Sequence, residues 1–141
     1  MPPTPDLNTE NPRGPREKCA GLVWIPRMAD KARAADAGRL GEFMYPCPMD
    51  KLMLDFLELE AERFSALVLK HPDAAFSNWL TGHLKNKTPE EIAEANRQLL
   101  AKKPDTPEKQ KKFDKIRNDL APSRQDITTW AALIDLEEGR A

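Results

Sequence analysis

Prolines divide this chain into short segments and limit where its helices can begin. The sequence contains 13 prolines, and proline is tolerated in the first turn of an α-helix but not in its interior. Thr88-Pro89, with Glu91 two residues later, has the pattern of a capping box that opens a helix. Thr106-Pro107 repeats that opening. The chain is therefore predicted to form a series of short helices.

The spacing of apolar residues extends this prediction along the chain. Ile25, which precedes a proline, is expected to be extended, and Gly38 is expected to end a helix in the left-handed conformation. No segment alternates apolar and polar residues convincingly with period two. The predicted fold class is all-α: a single compact bundle of about six or seven short helices with short loops over residues 13–141, preceded by an irregular or disordered segment at residues 1–12. The predicted segments are a short helical turn over Arg16–Ala20, helices over Pro26–Ala37, Pro48–Leu57, Glu60–Lys70, Asp73–Leu84 (capped by Asp73), Pro89 to just before Pro104, and Thr106–Leu120, and a final helix capped by Asp126.

The charge balance and the cysteines limit the classes of partner. There are 22 Lys+Arg and 23 Asp+Glu residues, and the net charge of −1 gives no overall attraction to nucleic acid or to an anionic membrane. No apolar run approaches the ~20 residues of a membrane-spanning helix, and the N-terminus lacks the apolar region of a secretory signal. Cys19 and Cys47 form no CxxC motif. Free thiols and a cytoplasmic location are predicted, and the oligomeric state is not indicated.

Charged residues concentrate on the Pro26–Ala37 helix and in the loop that follows it. Two interpretations stay open for this cluster: an anion-binding group that Asp30 orients, or a solvated face with ordinary surface ion pairs. The glycines of the loop, Gly38 and Gly41, allow close approach of the backbone. The predicted binding residues are Arg27, Asp30, Lys31, Arg33, Tyr45, Cys47 and Asp50.

Cys47 is the one weak candidate for catalysis. Prolines flank it on both sides, and it falls at the N-cap of the Pro48–Leu57 helix. The helix dipole there favours a thiolate, whereas Asp50 in the first turn opposes it. The alternative is a small buried residue that fills a tight loop.

Metal, cofactor and nucleic-acid sites are not predicted. His71 and His83 are the two histidines, and no HxxxH or HExxH spacing joins them. The basic stretch at residues 102–117 holds a single aromatic residue, Phe113, at core spacing. A solvated face is therefore the preferred interpretation of that stretch, and nucleic-acid binding is unlikely.

Four sequence blocks carry a resemblance to a known family. They read PRGPREKCAGLVWIPRMADKARA, GRLGEFMYPCPMD, DFLELEAERF and DITTWAALIDLEEGR. In their order, and over nearly the whole chain from Pro12 to Arg140, they resemble the bacterial domain of unknown function 5069 family. Glu58 stands where that family's pattern more often has a glycine turn. The resemblance implies no reaction. The polar positions that match the pattern are Arg13, Arg16, Glu17, Arg27, Asp30, Lys31, Arg33, Glu42, Tyr45, Cys47 and Asp50.

Three functional hypotheses follow. The first is a non-catalytic binding module that captures a small anionic ligand, or an acidic segment of a partner, through the Arg27–Arg33 helix and the Gly38–Asp50 loop. The second is a cysteine-dependent enzyme or redox protein that uses Cys47. The third makes the polar cluster purely structural, with its charged groups buried and paired with one another.

Overall fold

The computed structural model describes residues 4–141. The part of the chain it describes contains seven helices and one two-stranded hairpin, so the predicted all-α class is confirmed. The hairpin pairs β1 (Lys18–Cys19) with β2 (Leu22–Val23) in antiparallel register. The helices are α1 (Ile25–Asp36), α2 (Pro48–Leu57), α3 (Ala61–Lys70), α4 (Asp73–His83), α5 (Pro89–Leu100), α6 (Pro107–Leu120) and α7 (Trp130–Glu137).

The starts of α2, α5 and α6 are where local chemistry predicted them. Thr88 and Glu91 form the predicted capping box of α5, and Thr106 caps α6 through the backbone N–H of Lys109. Helix α2 spans the predicted residues, and Cys47 is its N-cap. These starts depend on contacts within four residues, which is why the sequence alone reveals them.

Four local predictions were wrong. The Arg16–Ala20 turn is not helical, because Ala20 and Gly21 both have positive φ and reverse the chain into the hairpin. Helix α1 includes Ile25, which was expected to be extended.

The other two errors concern aspartates predicted as caps. Pro72 occupies the N-cap of α4, since the carboxylate of Asp73 is held by Arg13 and Arg33. Thr129 caps α7, and Asp126 pairs with Arg124 instead.

Two hydrophobic clusters form the core. The larger one surrounds α1 and draws on α2, α3, α4 and α5. The smaller one contains Phe113, Ile127 and Leu133, from α6, α7 and the segment between them. Trp130 packs against both clusters, and its ring meets Phe113 edge-on at 5.1 Å between centroids. Trp130 therefore links the two clusters.

The N-terminal segment is irregular and packs against the loop after α1. Residues 4–12 contain no helix or strand, and residues 1–3, which the prediction for this segment also covered, lie outside the described part. Leu7 is buried, and its amide donates to the carbonyl of Arg39 at 2.8 Å. A Cβ on Gly41 would lie 2.6 Å from the carbonyl oxygen of Leu7. Glycine at position 41 is therefore what allows the segment to approach the loop.

Glu58 ends α2 in the left-handed conformation, with φ of 57°. This is a conformation that glycine adopts without strain and that other residues adopt at a cost of about 1–2 kcal/mol. The backbone turn at position 58 is thus one that a glycine would also form.

Candidate functional site

Asp50 organises a buried polar group between α1 and α2. Its carboxylate is fully buried, forms an ion pair with Lys31 Nζ at 2.7 Å, and accepts hydrogen bonds from Trp24 Nε1 at 2.7 Å and from the backbone N–H of Cys47 at 2.9 Å. Lys31 is also buried, and it donates to the carbonyl of Met44 at 3.0 Å. The predicted binding residues Lys31 and Asp50 therefore satisfy each other inside the protein.

Arg27 is held by the C-terminal end of the chain. Its two terminal nitrogens donate to the two carboxylate oxygens of Glu138, both at 2.8 Å. The guanidinium carbon lies 5.4 Å from the ring centroid of Trp24 and 5.7 Å from that of Phe43. Arg140 donates to the same carboxylate at 2.7 Å, and to the carbonyl of Pro12 at 2.8 Å. Glu138 and Arg140 thus connect α1 to the N-terminal segment.

Arg33 and Asp30 belong to a second buried network on the other side of α1. Arg33 donates to Asp73 at 2.9 Å and to the carbonyls of Val68 and His71, both at 3.0 Å. Asp30 accepts from the backbone N–H of Arg13 at 2.8 Å and from the guanidinium of Arg13. These contacts join α1 to α4 and to the segment before β1.

Tyr45 is also engaged internally. Its hydroxyl donates to the carbonyl of Ala61 at 2.8 Å and accepts from Ser65 at 3.1 Å. Burial raises the pKa of Tyr45 to about 12. The hydroxyl anchors the loop to α3 and does not face the cavity described next.

A cavity of about 670 Å³ opens beside α1, where α2, α7 and the residues from 102 to 112 meet. Of the seven predicted binding residues, Arg27, Lys31 and Cys47 line it, whereas the other four do not. Its apolar lining includes three aromatic rings. The apolar and aromatic lining residues are Trp24, Phe43, Met44, Pro48, Met49, Trp130 and Ile134, and the polar ones besides the three above are Asn11, Glu42, Lys102, Lys103, Asp105, Lys109, Lys112, Glu137 and Glu138.

Trp24 combines this lining role with an unusual backbone conformation. It is the N-cap residue of α1 and has φ of 75°, in the left-handed region. A bulky residue in that region is strained by about 1–3 kcal/mol, and such strain concentrates at functional sites. The hydrogen bond from its indole to Asp50 helps to hold the ring against the cavity.

The family of the chain is established over nearly its whole length. The family model described as a domain of unknown function, DUF5069, matches residues 9–140. The chain belongs to the DUF5069 family. The match includes every residue that lines the cavity and both networks around α1. No match was found among curated proteins.

The lysines of the DUF5069 cavity are the functional candidates that sequence reasoning missed. Lys102, Lys103, Lys109 and Lys112 were interpreted as part of a solvated face, because a basic run with one core aromatic gives no other signal. The fold places these four lysines in the lining of the cavity. The backbone N–H of Trp130 donates to the carbonyl of Lys102 at 3.0 Å, which brings the start of this stretch against α7.

Two features are absent from the described residues. Within residues 4–141 there is no group of three or more His, Cys, Asp or Glu side chains arranged to hold a metal ion. In the same range, no helix is long and apolar enough to cross a membrane.

Cys47 is a protonated thiol in this environment. Burial raises its pKa from the ordinary 9.0, and the charge of Asp50 raises it further, while Lys31 acts in the opposite direction. Its sulfur accepts from Lys31 Nζ at 3.3 Å and from the backbone N–H of Asp50 at 3.4 Å. The thiol therefore completes the cap of α2, and its raised pKa favours the protonated form.

Alkylation by iodoacetamide provides a check on this assignment. Because the thiolate is the reactive form, we expect Cys47 in the folded protein to react more slowly at pH 7 than a free cysteine does. The rate should rise only above the ordinary pKa of 9.0. Cys19→Ser isolates Cys47, and Cys47→Ser is the matched control, since burial also raises the pKa of Cys19. Rapid alkylation of Cys47 at pH 6–7 would contradict the assignment.

Proposed function

We propose that this protein is a non-catalytic binding module that holds a small amphipathic anion in the cavity beside α1. The ligand would be a carboxylate or phosphate monoester with a flat apolar body. One observation carries the proposal: the cavity combines three aromatic rings, Trp24, Phe43 and Trp130, with lysines at residues 102–112. Apolar walls with a few convergent charged groups are typical of small-molecule sites, and about 670 Å³ lies within their usual range of roughly 300–1,000 Å³.

The charges of the cavity that are not neutralised by ion pairs within the protein favour an anion. Arg27 is neutralised by Glu138, Lys31 by Asp50 and Lys109 by Asp105. In the described part of the chain, Lys102, Lys103 and Lys112 have no carboxylate partner. They face two unpaired carboxylates that also line the cavity, Glu42 and Glu137.

Glu137 lies among charges of both signs. Burial raises its pKa, the neighbouring charge of Glu138 raises it further, and Arg27 and Lys112 lower it. The three free lysines outnumber the two unpaired carboxylates, so the cavity has an excess of positive charge.

The α1 residues have a different role in this proposal from the one the sequence predicted. The side chains of Arg27, Lys31 and Arg33 are at most 5% exposed and are already paired, so they do not supply the free charge that captures the anion. Their burial and pairing support the structural hypothesis for the network itself. The proposed binding site is therefore the cavity, which Arg27 and Lys31 help to line.

The size of the cavity favours a small molecule over nucleic acid. Its three free lysines line a space of about 670 Å³, which is the size of a small-molecule site. An acidic segment of a partner protein remains a competing occupant, because it presents the same carboxylate chemistry.

A cytoplasmic location is part of the proposal, and Cys19 and Cys47 are both unbridged as a reducing compartment requires.

Three probes of matched shape or charge test the proposal. 2-Naphthoate has an aromatic ring system and an anionic group. 2-Naphthylmethylammonium has the same ring system with a cationic group, and inorganic phosphate is an anion without an aromatic ring. By calorimetry or tryptophan fluorescence, we expect naphthoate to bind roughly tenfold more tightly than either control, a difference of about 1.4 kcal/mol. Equal affinity for the two naphthyl probes would remove the electrostatic basis of the proposal.

Neutralising the free lysines should weaken naphthoate selectively. We expect the triple substitution Lys102→Gln, Lys103→Gln and Lys112→Gln to reduce affinity by roughly tenfold, since each exposed charge contributes about 0.2–1 kcal/mol. The matched control is Lys51→Gln, Lys85→Gln and Lys111→Gln, three exposed lysines outside the cavity that form no ion pair with other described residues. An equal loss in the control variant would show that net charge alone governs the affinity.

A further inference from the structure

A second depression lies between α2 and α5, and every charged residue that lines it is acidic. Its floor is apolar, formed by Leu52 and Phe56 from α2 and by Ala95 from α5. Its volume is about 670 Å³, and none of its lining residues is shared with the cavity beside α1. We call it the α2–α5 groove. Its polar lining residues are Asp55, Glu90, Glu91, Glu94 and Gln98.

Two of the four carboxylates have no partner within the described residues. Glu91 accepts from the backbone N–H of Thr88 in the capping box, and Glu94 accepts from Arg97 and Gln98. Asp55 and Glu90 make no hydrogen bond or ion pair with other described side chains. One lies on each helix, so unpaired negative charge flanks the apolar floor on both walls.

The protein already places a lysine against this groove. The ammonium of Lys87 lies 5.0 Å from the ring centroid of Phe56. It also approaches the carboxylate of Glu58 at 3.7 Å. A cation is attracted to an aromatic face and to a nearby carboxylate at the same time. The contact shows that the ring of Phe56, which lines the groove, accepts a cation, whereas Glu58 and Lys87 are not lining residues.

We infer that the α2–α5 groove docks a basic amphipathic helix of a partner protein. A trough between two packed helices accepts the apolar face of a third helix, and the acidic walls complement basic residues flanking that face. A second copy of this chain fits less well. The exposed large apolar side chains of the described residues are Met44 and Leu120, and the outer face of α6 with Lys111 and Lys115 presents no apolar stripe.

A labelled model peptide tests this inference. The probe is a short amphipathic helix of leucine and lysine, and its control is the same helix with glutamate in place of every lysine. By fluorescence anisotropy, we expect the lysine peptide alone to bind. We expect Asp55→Asn with Glu90→Gln to reduce the affinity for the lysine peptide about fivefold, because each exposed charge pair contributes about 0.2–1 kcal/mol. The matched control is Asp36→Asn with Glu108→Gln, which removes the same two residue types outside the groove.

Each other outcome would overturn the inference. Absence of binding, binding of the glutamate peptide, or equal weakening by both pairs of substitutions would exclude the α2–α5 groove as a specific site for a basic helix. Self-association of the protein that only Asp55→Asn with Glu90→Gln disrupts would assign the groove to a second copy instead. Naphthoate binding should be unchanged in these variants, so failure here is distinguishable from failure of the proposed function.

Discussion

Replacing Glu138 with glutamine should lower the free energy of unfolding by about 3–5 kcal/mol, because it leaves the buried guanidinium of Arg27 without a counter-charge. The side chains of Arg27 and Glu138 are only 5% and 8% exposed, so water cannot replace the lost carboxylate. A loss of this size is a large part of the roughly 5–15 kcal/mol that stabilises an ordinary domain. Urea denaturation, with the midpoint and slope both fitted, measures the change.

Glu137→Gln is the matched control for this prediction. Glu137 is adjacent, is exposed and forms no ion pair with other described residues. Its pKa in the folded protein is raised, by partial burial first and by Glu138 second, so its charge does not stabilise the fold. The control should therefore be neutral or slightly stabilising. A loss below about 1 kcal/mol for Glu138→Gln would mean that Arg27 is not sealed from water as the structure shows.

A double variant distinguishes the loss of the Arg27–Glu138 ion pair from the cost of leaving the Arg27 charge buried and unpaired. Arg27→Met combined with Glu138→Gln removes both charges, and replacing a buried ion pair by apolar groups is often close to neutral. We expect the double variant to recover much of the stability lost in Glu138→Gln alone. Equal instability of the two would indicate that packing, and not the unpaired guanidinium, is responsible.

Asp50→Asn should be the second strongly destabilising change, again by about 3–5 kcal/mol. Asparagine can still accept from the indole of Trp24. Its amide nitrogen, however, would then face the ammonium of Lys31 or the N–H of Cys47, which are both donors. The substitution also removes half of the capping box of α2, which adds about 1 kcal/mol of destabilisation.

The control on the same helix is Asp55→Asn, an exposed carboxylate without a side-chain partner within the described residues. It should change stability by no more than about 0.5 kcal/mol in thermal or urea unfolding. Similar effects of the two substitutions would contradict a buried, paired Asp50. The double variant Lys31→Met with Asp50→Asn should lose less than Asp50→Asn alone, because no buried ammonium remains unpaired.

The helices were predictable from the sequence because their signals are local. A threonine or cysteine before a proline satisfies free N–H groups at a helix start, and the result does not depend on the rest of the chain. The misassigned caps show the limit of that reasoning. Asp73 has the right position and chemistry for a cap, but two arginines from distant segments compete for its carboxylate.

The site was predictable only in part, because its decisive contacts span the chain. The sequence placed Arg27, Lys31 and Cys47 near a functional surface, but it gave no sign that Arg27 pairs with Glu138, 111 residues later. It also gave no sign that the lysines after α5 line the same cavity as Trp24. Charge spacing within one helix reports neighbours on that helix, whereas pairing across the core is set by tertiary packing.

The most direct test of the cavity as the binding site is an NMR titration of the isotope-labelled protein with 2-naphthoate. The account predicts shift changes concentrated at Trp24, Met44, Lys103 and Trp130, including the indole N–H signals of the two tryptophans. Trp79, which stacks on His83 in α4 away from the cavity lining, is the internal reference and should not move. Changes centred on Trp79, or none at saturating naphthoate, would contradict the account.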